Sequence, residues 1–483
     1  MSKLYCLMYD LGTSSLKAIL YGQKGKVICQ ETVKYKYTTP APGWVEMDPA
    51  DWKNALWQTI GKIAGHYDLS FLQAISFTGQ MHSVVMLDKK GKALKPCLLW
   101  LDRRADQETK ELQKNLKLPP YMLNSTYSLP KMYWLSKHNP ELVKETETIL
   151  WPKDYLRYLL TGFTATDATE GIGGGLLNWE TGKFVIKRLE FIGWDKKVLP
   201  PILEADGQAG NIKEELAKKY NINPAVKVFT GCGDMLALLG GAPHSPGRLV
   251  YSLGSSSMFF TMVDQSNLVA EGNSLYTLKL AGYNLFGGVS STTGAALVWF
   301  FENIWQDNAE LSEMVKKAWE VTPGCEGLVF IPYLAGERSP YWSDKIKGGF
   351  YGLGLEHDKR HLARAVLESV AYSIRHLLDI YSANGIKIDE IALAGGGVRI
   401  VGWPQLIADI CKLPIKIYSE QETVTNVLYV MVISKLKGKH FQETLLHSFK
   451  ECQEFLPRDD NEKVYNESYR RYREFSVFAN QQN

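Results

Sequence analysis

The feature that most constrains the fold is a short pattern that occurs twice. Residues 9–15 read Tyr-Asp-Leu-Gly-Thr-Ser-Ser, and residues 251–257 read Tyr-Ser-Leu-Gly-Ser-Ser-Ser, half a chain apart in a sequence of 483 residues. Each copy follows one short apolar stretch and precedes another, as in a β-hairpin with a turn of glycine and hydroxyl residues. The repeat predicts two similar domains, each with such a hairpin near its beginning.

The boundary between these domains is predicted just before the second copy. Residues 240–247, Gly-Gly-Ala-Pro-His-Ser-Pro-Gly, are rich in residues that interrupt helices and strands. We therefore predict domains 1–245 and 246–483, the second ending in a charged helical tail that is either solvated or docked. Short apolar runs alternate with helical periodicity, which is typical of an α/β fold with buried strands. The predicted strands are 74–77, 97–101, 226–229, 328–331 and 391–394, and the predicted helices include 362–378 and 406–410.

Composition and charge narrow the class of protein. The 55 Lys and Arg residues nearly balance 52 Asp and Glu residues, so the whole surface would not attract nucleic acid or an anionic membrane. There is no apolar run of membrane-spanning length and no secretion signal, which predicts a cytoplasmic protein. The seven cysteines are dispersed without a C-x-x-C pair, so neither a disulfide framework nor a zinc cage is expected. The Walker A and Rossmann glycine motifs, the hydrolase elbow and the HExxH zinc motif are all missing.

Glycine-rich turns nevertheless predict contacts with phosphate. Backbone N–H groups of a turn such as Gly12, Thr13 and Ser14 can approach a phosphate closely, with Lys17 nearby, and Asp10 could hold Mg²⁺ through water. The second copy has a similar turn at Gly254 and Ser255 but no acidic residue at the position of Asp10. A plain polar hairpin with Asp10 as a turn former is the alternative.

A third glycine turn follows a predicted strand. Gly395, Gly396 and Gly397 lie between the strand at 391–394 and a helix, an arrangement that places free amides toward an anion or nucleotide. The alternative is a tight connection without a ligand.

Asp234 ends the pattern Gly-Cys-Gly-Asp that follows the strand at 226–229. A carboxylate at this place could cap the next helix, because Asp is among the best N-cap residues. Alternatively it faces a ligand as a general base. The residues by themselves leave both roles open.

Two further polar loops follow predicted strands and are expected to line one pocket, because ligands bind beyond the carboxyl ends of strands in open α/β sheets. The candidate substrate-binding residues are Gln80, Met81, His82, Ser83, Trp100, Asp102, Arg104 and Gly233. His82 is given a binding role only. Asp102 and Arg104 could equally form a structural ion pair.

Together with residues 43–52, 128–134, 333–340 and 348–368, these motifs resemble the FGGY carbohydrate kinases and, within them, the xylulokinases. The resemblance covers most of the chain. It implies two ribonuclease-H-like domains of the actin and hexokinase type with a central cleft, ATP and Mg²⁺ as cofactors, and a small sugar or polyol as substrate. It also implies that Asp234 is the catalytic base and that Asp10 and Asp234 lie near the metal.

Three departures from the family pattern bear on specificity. Ser83 stands where the xylulokinase pattern has glycine, bulky residues replace small ones at 423–429, and residues 398–401 are unusually apolar. The substrate is D-xylulose, another ketose, a polyol or an aldonate such as gluconate. A non-catalytic sugar-binding homologue and a chaperone-type ATPase of the same fold are rival interpretations. The sequence does not fix the oligomeric state, and a homodimer is one option.

Overall fold

The computed structural model describes residues 5–120, 122–178, 181–264, 269–270, 275–280, 282–306, 310–418, 423–449 and 452–481. Leu4, which begins the apolar stretch before the first copy of the repeat, and Glu422, the residue before the segment 423–429, lie outside these residues. The chain divides into two compact units, Met1–Gly240 with Glu422–Ser448, and Gly241–Gln421 with Phe449–Asn483. The first boundary lies at Gly240 rather than at the predicted residue 245, and Glu422–Ser448 belong to the first unit rather than to the second.

The elements are numbered along the chain. The strands before residue 240 are β1 Tyr5–Leu11, β2 Ser15–Tyr21, β3 Val27–Lys34, β4 Glu46–Met47, β5 Leu72–Gly79, β6 Val85–Leu87, β7 Cys97–Leu98, β8 Thr148–Leu150, β9 Thr166–Asp167, β10 Ile202–Leu203, β11 Gln208–Asn211, β12 Lys227–Phe229 and β13 Cys232–Gly233. The later strands are β14 Arg248–Ser252, β15 Ser257–Met262, β16 Val269–Ala270, β17 Leu275–Leu280, β18 Tyr283–Ser290, β19 Val329–Ile331, β20 Gly349–Tyr351, β21 Glu390–Ala394, β22 Ile415–Ile417 and β23 Gln453–Phe455. The α-helices are α1 Pro49–His66, α2 Asp106–Leu116, α3 Ser128–His138, α4 Pro140–Glu145, α5 Pro152–Thr161, α6 Ala168–Gly173, α7 Ile186–Phe191, α8 Glu214–Lys219, α9 Ala237–Gly240, α10 Gly294–Phe300, α11 Leu311–Ala318, α12 Lys359–Ala383, α13 Trp403–Cys411, α14 Thr423–Leu436, α15 Phe441–Leu446 and α16 Glu462–Gln481.

The sheet of the first unit has the strand order β11-β12-β5-β1-β2-β3, with β13 beside β5. The first predicted hairpin is β1 and β2, which pair antiparallel, and β3 continues antiparallel to β2. On the other side, β5 runs parallel to β1 and β12 runs parallel to β5. The carboxyl ends of β1, β5 and β13 therefore meet at one edge of this sheet.

The sheet of the second unit repeats this arrangement. Its order is β16-β17-β18-β15-β14-β21-β22-β23, and the second predicted hairpin is β14 and β15. As in the first unit, the hairpin strand β14 pairs with a parallel strand, β21, while β15 pairs with antiparallel β18. The predicted duplication and the α/β fold of two ribonuclease-H-like domains are thus confirmed.

The atypical segment at 423–429 forms the start of α14, which packs against β1, β5 and α9 in the first unit. Val427, Leu428 and Tyr429 are buried there. The Tyr429 ring stacks on Tyr21 with a centroid distance of 4.8 Å, and its hydroxyl accepts a hydrogen bond of 3.0 Å from the Gly25 amide. The bulky residues therefore cover a sheet face, which explains why this segment joins the first unit.

The long helix α12 and the terminal helix α16 build the second unit's core. Asp358 caps α12, because its carboxylate accepts from the Arg360 amide at 2.8 Å. In α16, Tyr465, Tyr469 and Tyr472 are buried. The tail is therefore docked rather than solvated. Among the described residues, no helix has the length and apolarity needed to cross a membrane.

Candidate active site

Three hydrogen bonds fix the turn between β1 and β2. The Gly12 amide donates to the Ser15 carbonyl at 2.9 Å, and the Gly12 carbonyl accepts from the Tyr35 hydroxyl at 2.6 Å. The Gln80 side-chain amide also donates to this carbonyl at 3.3 Å. Because the Gly12 carbonyl accepts both of these side-chain hydrogen bonds, the turn has a fixed shape. Ser14 remains exposed to solvent.

Asp10 and Asp234 lie at the same edge of the first unit's sheet. Asp10 is paired with Thr78 of β5, and Cys232 is paired with the same residue from the other side. Asp234 follows one residue beyond β13. Lys17 is the antiparallel cross-strand partner of Asp10, so these two side chains share one face of the hairpin.

The pKa of the Asp234 carboxyl is raised to about 7 by the surrounding protein atoms, which desolvate it, and by repulsion from Asp10. The side chain nevertheless contacts solvent at this edge of the sheet. The amides of Asp234 and Met235 bind the carboxylate and oppose the rise. Asp234 is the first residue of a short 3₁₀ turn, Asp234–Leu236, and its side chain is exposed.

The two glycines before Asp234 are required by close packing. Gly231 has φ of +72°, and a Cβ atom there would lie 1.8 Å from the Phe77 carbonyl oxygen. A Cβ atom on Gly233 would lie 2.5 Å from the sulfur of Met81. Gly233 and Met81 therefore bring the loop after β5 directly against the turn that carries Asp234. Both were predicted to bind substrate, but Met81 is only 4% exposed and packs inside.

His82 is the partly exposed residue of this loop. Its backbone has φ of +70°, an uncommon conformation for a residue with a side chain and one that clusters at functional sites. Its ring stacks on Tyr127 at 4.8 Å, and its Nδ1 donates to the Gly173 carbonyl. The ring is thus held in one orientation beside the Asp234 turn.

Ser83 does not reach a pocket, which corrects the expectation that its hydroxyl faces the substrate. The side chain is fully buried, and its oxygen accepts a hydrogen bond of 3.1 Å from the Trp100 amide. The Trp100 indole N–H in turn donates to the Thr13 hydroxyl at 2.9 Å. Ser83 thereby connects the loop after β5 to Trp100 and, through it, to the turn between β1 and β2.

Ser83→Gly should consequently lower stability without changing the ranking of acceptor sugars. Loss of a buried partner costs about 1–3 kcal/mol when the remaining group stays unpaired. Ser83→Ala, which removes only the hydroxyl, is the matched control and should behave alike. Urea denaturation and kcat/KM for several sugars test this. A changed ranking in both variants would return Ser83 to the substrate pocket.

Asp102 and Arg104 form a structural ion pair, the alternative that the sequence left open. Asp102 is fully buried and accepts from the Val45 amide at 2.6 Å and from Arg104 Nε at 3.0 Å. Arg104 also donates to Glu46 at 2.7 Å, and its guanidinium lies 3.7 Å from the Trp44 ring centroid. Asp102 and Arg104, which were predicted to contact the substrate, therefore hold the loop in place.

Arg104→Met should destabilise the first unit strongly, because it leaves the Asp102 charge buried without its partner. Removing one member of a buried ion pair typically costs about 3–5 kcal/mol. Arg103→Met changes the exposed neighbouring arginine and serves as the control, with an effect of at most about 0.5 kcal/mol. Equal urea-denaturation midpoints for the two variants would contradict the buried-pair interpretation.

The second unit brings its two predicted glycine turns together. The Leu253 amide donates to the Ala394 carbonyl at 2.7 Å, and the Gly397 amide donates to the Leu253 carbonyl at 2.9 Å. Gly254 and Ser255 thus lie beside Gly395, Gly396 and Gly397. The Gly254 carbonyl accepts from the Gly294 amide at 2.8 Å, which joins the hairpin turn to the start of α10. In the apolar segment after the glycines, Val401 is 81% exposed.

One group of residues near Asp234 was missed by the sequence analysis. The Gly233 amide donates to the Thr169 hydroxyl at 2.9 Å, and Thr169 belongs to a buried polar cluster with Asp167 and Lys153. The sequence did contain an N-cap pattern here, because Asp167 stands two residues before Thr169 at the start of a helix. That pattern indicates where a helix begins, and nothing in it indicates contact with a residue more than sixty positions later.

Comparison with known proteins agrees with this geometry. The family model described as FGGY family of carbohydrate kinases, N-terminal domain, matches residues 5–240, and the C-terminal domain of the same family matches residues 249–425. A xylulose kinase from Lactococcus lactis subsp. lactis is 32% identical over 420 residues, which are 84% of this chain and 83% of that protein. A gluconokinase from Bacillus licheniformis is 27% identical over 423 residues, or 84% and 82% of the two chains.

A solved structure of similar fold is the crystal structure of a xyloylose kinase from Brucella ovis. It has a TM-score of 0.91 and 28% identity, and the match covers 99% of both chains. One conclusion follows from the duplicated hairpins, the two glycine turns of the second unit and the two family matches. This chain belongs to the FGGY family of carbohydrate kinases, which transfer a phosphoryl group from ATP to a sugar.

Proposed function

We propose that the protein phosphorylates D-xylulose to D-xylulose 5-phosphate with ATP, and that Asp234 is the general base. The observation that carries this proposal is the Asp234 carboxyl, which is exposed at the edge of the first sheet, is repelled by Asp10 and directly follows Gly233, the residue packed against Met81. The xylulose kinases among the relatives support the choice of sugar.

Asp234 would accept the proton of the sugar hydroxyl as that oxygen attacks the γ-phosphorus of ATP. A positioned base contributes about 100- to 10,000-fold, and it acts best when its pKa lies near the working pH. Desolvation and repulsion by Asp10 raise the pKa of the Asp234 carboxyl toward this condition in the absence of the metal. Activity should therefore decline as the pH falls through the pKa of Asp234, and Mg²⁺ bound beside the carboxylate should move that decline to lower pH.

The phosphate groups of ATP are assigned to the glycine turns. In the first unit, the rigid turn of Gly12, Thr13 and Ser14 offers backbone amides, and Lys17 offers a positive charge. In the second unit, Gly254, Ser255 and the turn at 395–397 are assigned to the nucleotide. Phosphoryl transfer depends mainly on positioning and on stabilising the charge of the transferred group, which these turns would provide.

The two carboxylates fit a magnesium ion. Asp10 and Asp234 repel each other at one sheet edge, and Mg²⁺ needs only one or two carboxylates because it keeps several waters. Within the described residues no cluster of three or more His, Cys, Asp or Glu side chains forms a metal cage, which also favours such a water-rich site. When bound, Mg²⁺ neutralises charge on the phosphate groups.

Gluconate is the second candidate substrate, because a gluconokinase is among the relatives. An aldonate carries a carboxylate that a cation should bind. Arg104, the cation of the predicted substrate loops, is already bound to Asp102 and Glu46 and packed on Trp44. The pairing leaves this guanidinium little capacity for a second carboxylate and favours a neutral ketose.

An acceptor screen distinguishes these functions. ADP release with ATP and Mg²⁺ would be measured for D-xylulose, D-ribulose, xylitol, glycerol, gluconate and glucose. We expect the highest kcat/KM with D-xylulose. A higher value with gluconate would reject the xylulose assignment but keep the kinase, whereas sugar binding without turnover for every acceptor would favour the non-catalytic homologue.

A further inference from the structure

A buried chain of polar contacts ends at the residue before Asp234. We propose that Thr169 is a positioning residue for phosphoryl transfer: its hydroxyl, fixed by Asp167 and Lys153, holds the Gly233 amide and so sets the place of the Asp234 carboxylate. This inference rests on the proposed role of Asp234 as general base.

The direction of the Thr169 hydroxyl is determined by its partners. Its single proton points to Asp167 Oδ2, which also accepts from the Thr169 amide at 2.8 Å. A hydroxyl that donates to one carboxylate turns its lone pairs elsewhere. One lone pair accepts the Gly233 N–H at 2.9 Å, so the hydroxyl cannot rotate without losing a buried bond.

Asp167 is fixed in turn by a buried cation. Its Oδ1 lies 2.9 Å from Lys153 Nζ, which also donates to Asp154 at 2.7 Å. Asp154 accepts from the Thr166 hydroxyl at 2.7 Å. All these side chains are buried, and buried ion pairs seldom stabilise a protein more than apolar residues of the same size. A specific geometry at the Asp234 turn explains their presence better than stability does.

The cluster also adds no net negative charge beside Asp234. Lys153 and Arg157 balance Asp154 and Asp167. Glu170 is the remaining acid, and burial raises the pKa of its carboxyl well above the usual range. A neutral Glu170 leaves the cluster without net charge, so it orients the turn while Asp10 remains the acid that repels Asp234.

Gly233 is well placed to transmit the position of the Thr169 hydroxyl to Asp234. It has no side chain to pack, and Met81 occupies the space where a Cβ atom would be. Its pairing with Gly79 and its bond to Thr169 therefore locate the Cys232–Gly233 peptide group, one residue before the peptide that joins Gly233 to Asp234. A small rotation of that peptide would move the carboxylate away from the attacking hydroxyl, and a displacement of ~1 Å can cost ~100-fold in rate.

Thr169→Val tests the inference, because valine keeps the shape and lacks the hydroxyl. The kcat, the KM for the best sugar and the thermal unfolding midpoint would be measured for Thr169→Val, Thr169→Ser and Thr146→Val. Thr146→Val is the matched control, since it removes a buried hydroxyl that donates to the Leu142 carbonyl at 2.8 Å, outside this cluster.

We expect Thr169→Val to lower kcat by about 10- to 100-fold with little change in KM, and Thr169→Ser to restore kcat. Thr146→Val should lose similar stability and keep kcat. If Thr169→Val does not fold, Thr169→Ala and Asp167→Asn are measured in the same way, with the same expected loss of kcat.

Equal kcat values for Thr169→Val and Thr146→Val, or no recovery in Thr169→Ser, would overturn the inference. The result is separable from the proposed function. An active Asp234→Asn variant would reject the base itself, whereas an inactive Asp234→Asn beside a fully active Thr169→Val would reject only the positioning role.

Discussion

Asp234→Asn should reduce sugar phosphorylation by about 100- to 10,000-fold, the usual contribution of a positioned base. Asparagine has nearly the same shape and is about as good a helix cap as Asp, so a capping role alone predicts normal turnover. Sugar binding, measured by calorimetry, should persist because only the proton acceptor is lost. Asp106→Asn, at an exposed position in α2, is the control and should keep wild-type activity.

The same variant should be no less stable than the wild type. A carboxyl whose pKa is raised in the folded state, here to about 7, holds its proton more tightly when the protein is folded. Its contribution to stability is therefore present below its ordinary pKa and is lost as the pH rises toward 7. Above that pH, Asp234→Asn removes a charge that Asp10 repels, so the unfolding temperature should stay equal or increase. A marked decrease would indicate a structural role instead.

Asp10→Ala should raise the concentration of Mg²⁺ needed for half-maximal activity. Asp10 was predicted to hold the ion through water, and loss of such an outer partner typically costs about 10- to 100-fold in metal affinity or activity. The test is a Mg²⁺ titration of the kinase reaction at saturating ATP and sugar.

Asp106→Asn again serves as the control, since it removes an acid of the first unit that lies outside the site. An Asp10→Ala variant with an unchanged Mg²⁺ titration and unchanged kcat would contradict the assignment of Asp10. Lower kcat with an unchanged titration would move the metal to Asp234 alone.

The fold was predictable because its signals are local and duplicated. The hairpins of β1–β2 and β14–β15, the strands that begin near residues 74 and 391, and the helix around 362–378 all follow from short apolar patterns and glycine turns. Helix α14 was the exception. Its apolar residues indicate burial, but a sequence pattern does not say which of two similar sheets a helix covers.

The place of the two candidate carboxylates in the fold was predictable, and that of the residues around them less so. Asp10 lies near the end of β1 and Asp234 directly follows β13, and both strands end at one sheet edge. Ser83 and Arg104 also follow strands, yet their side chains turn inward to Trp100 and Asp102. Loop residues near a site therefore divide into those that face the ligand and those that hold the loop, and only tertiary contacts distinguish the two.

Thr169 illustrates a further limit. Its bond to Gly233 joins residues of different elements, and no periodicity or spacing encodes such a contact. The residues that orient a catalytic group are often found this way, through a hydrogen bond to a neighbouring backbone amide rather than through a motif.

Product analysis with the purified wild-type protein is the most direct test of sugar phosphorylation by this chain. ATP, Mg²⁺ and D-xylulose would be incubated with the protein, and ADP and sugar phosphate would be quantified together by chromatography and phosphorus NMR. We expect one xylulose 5-phosphate for each ADP, little ADP without sugar, and neither product with Asp234→Asn. ADP formed without sugar phosphate would identify an ATPase instead and contradict the proposed kinase reaction.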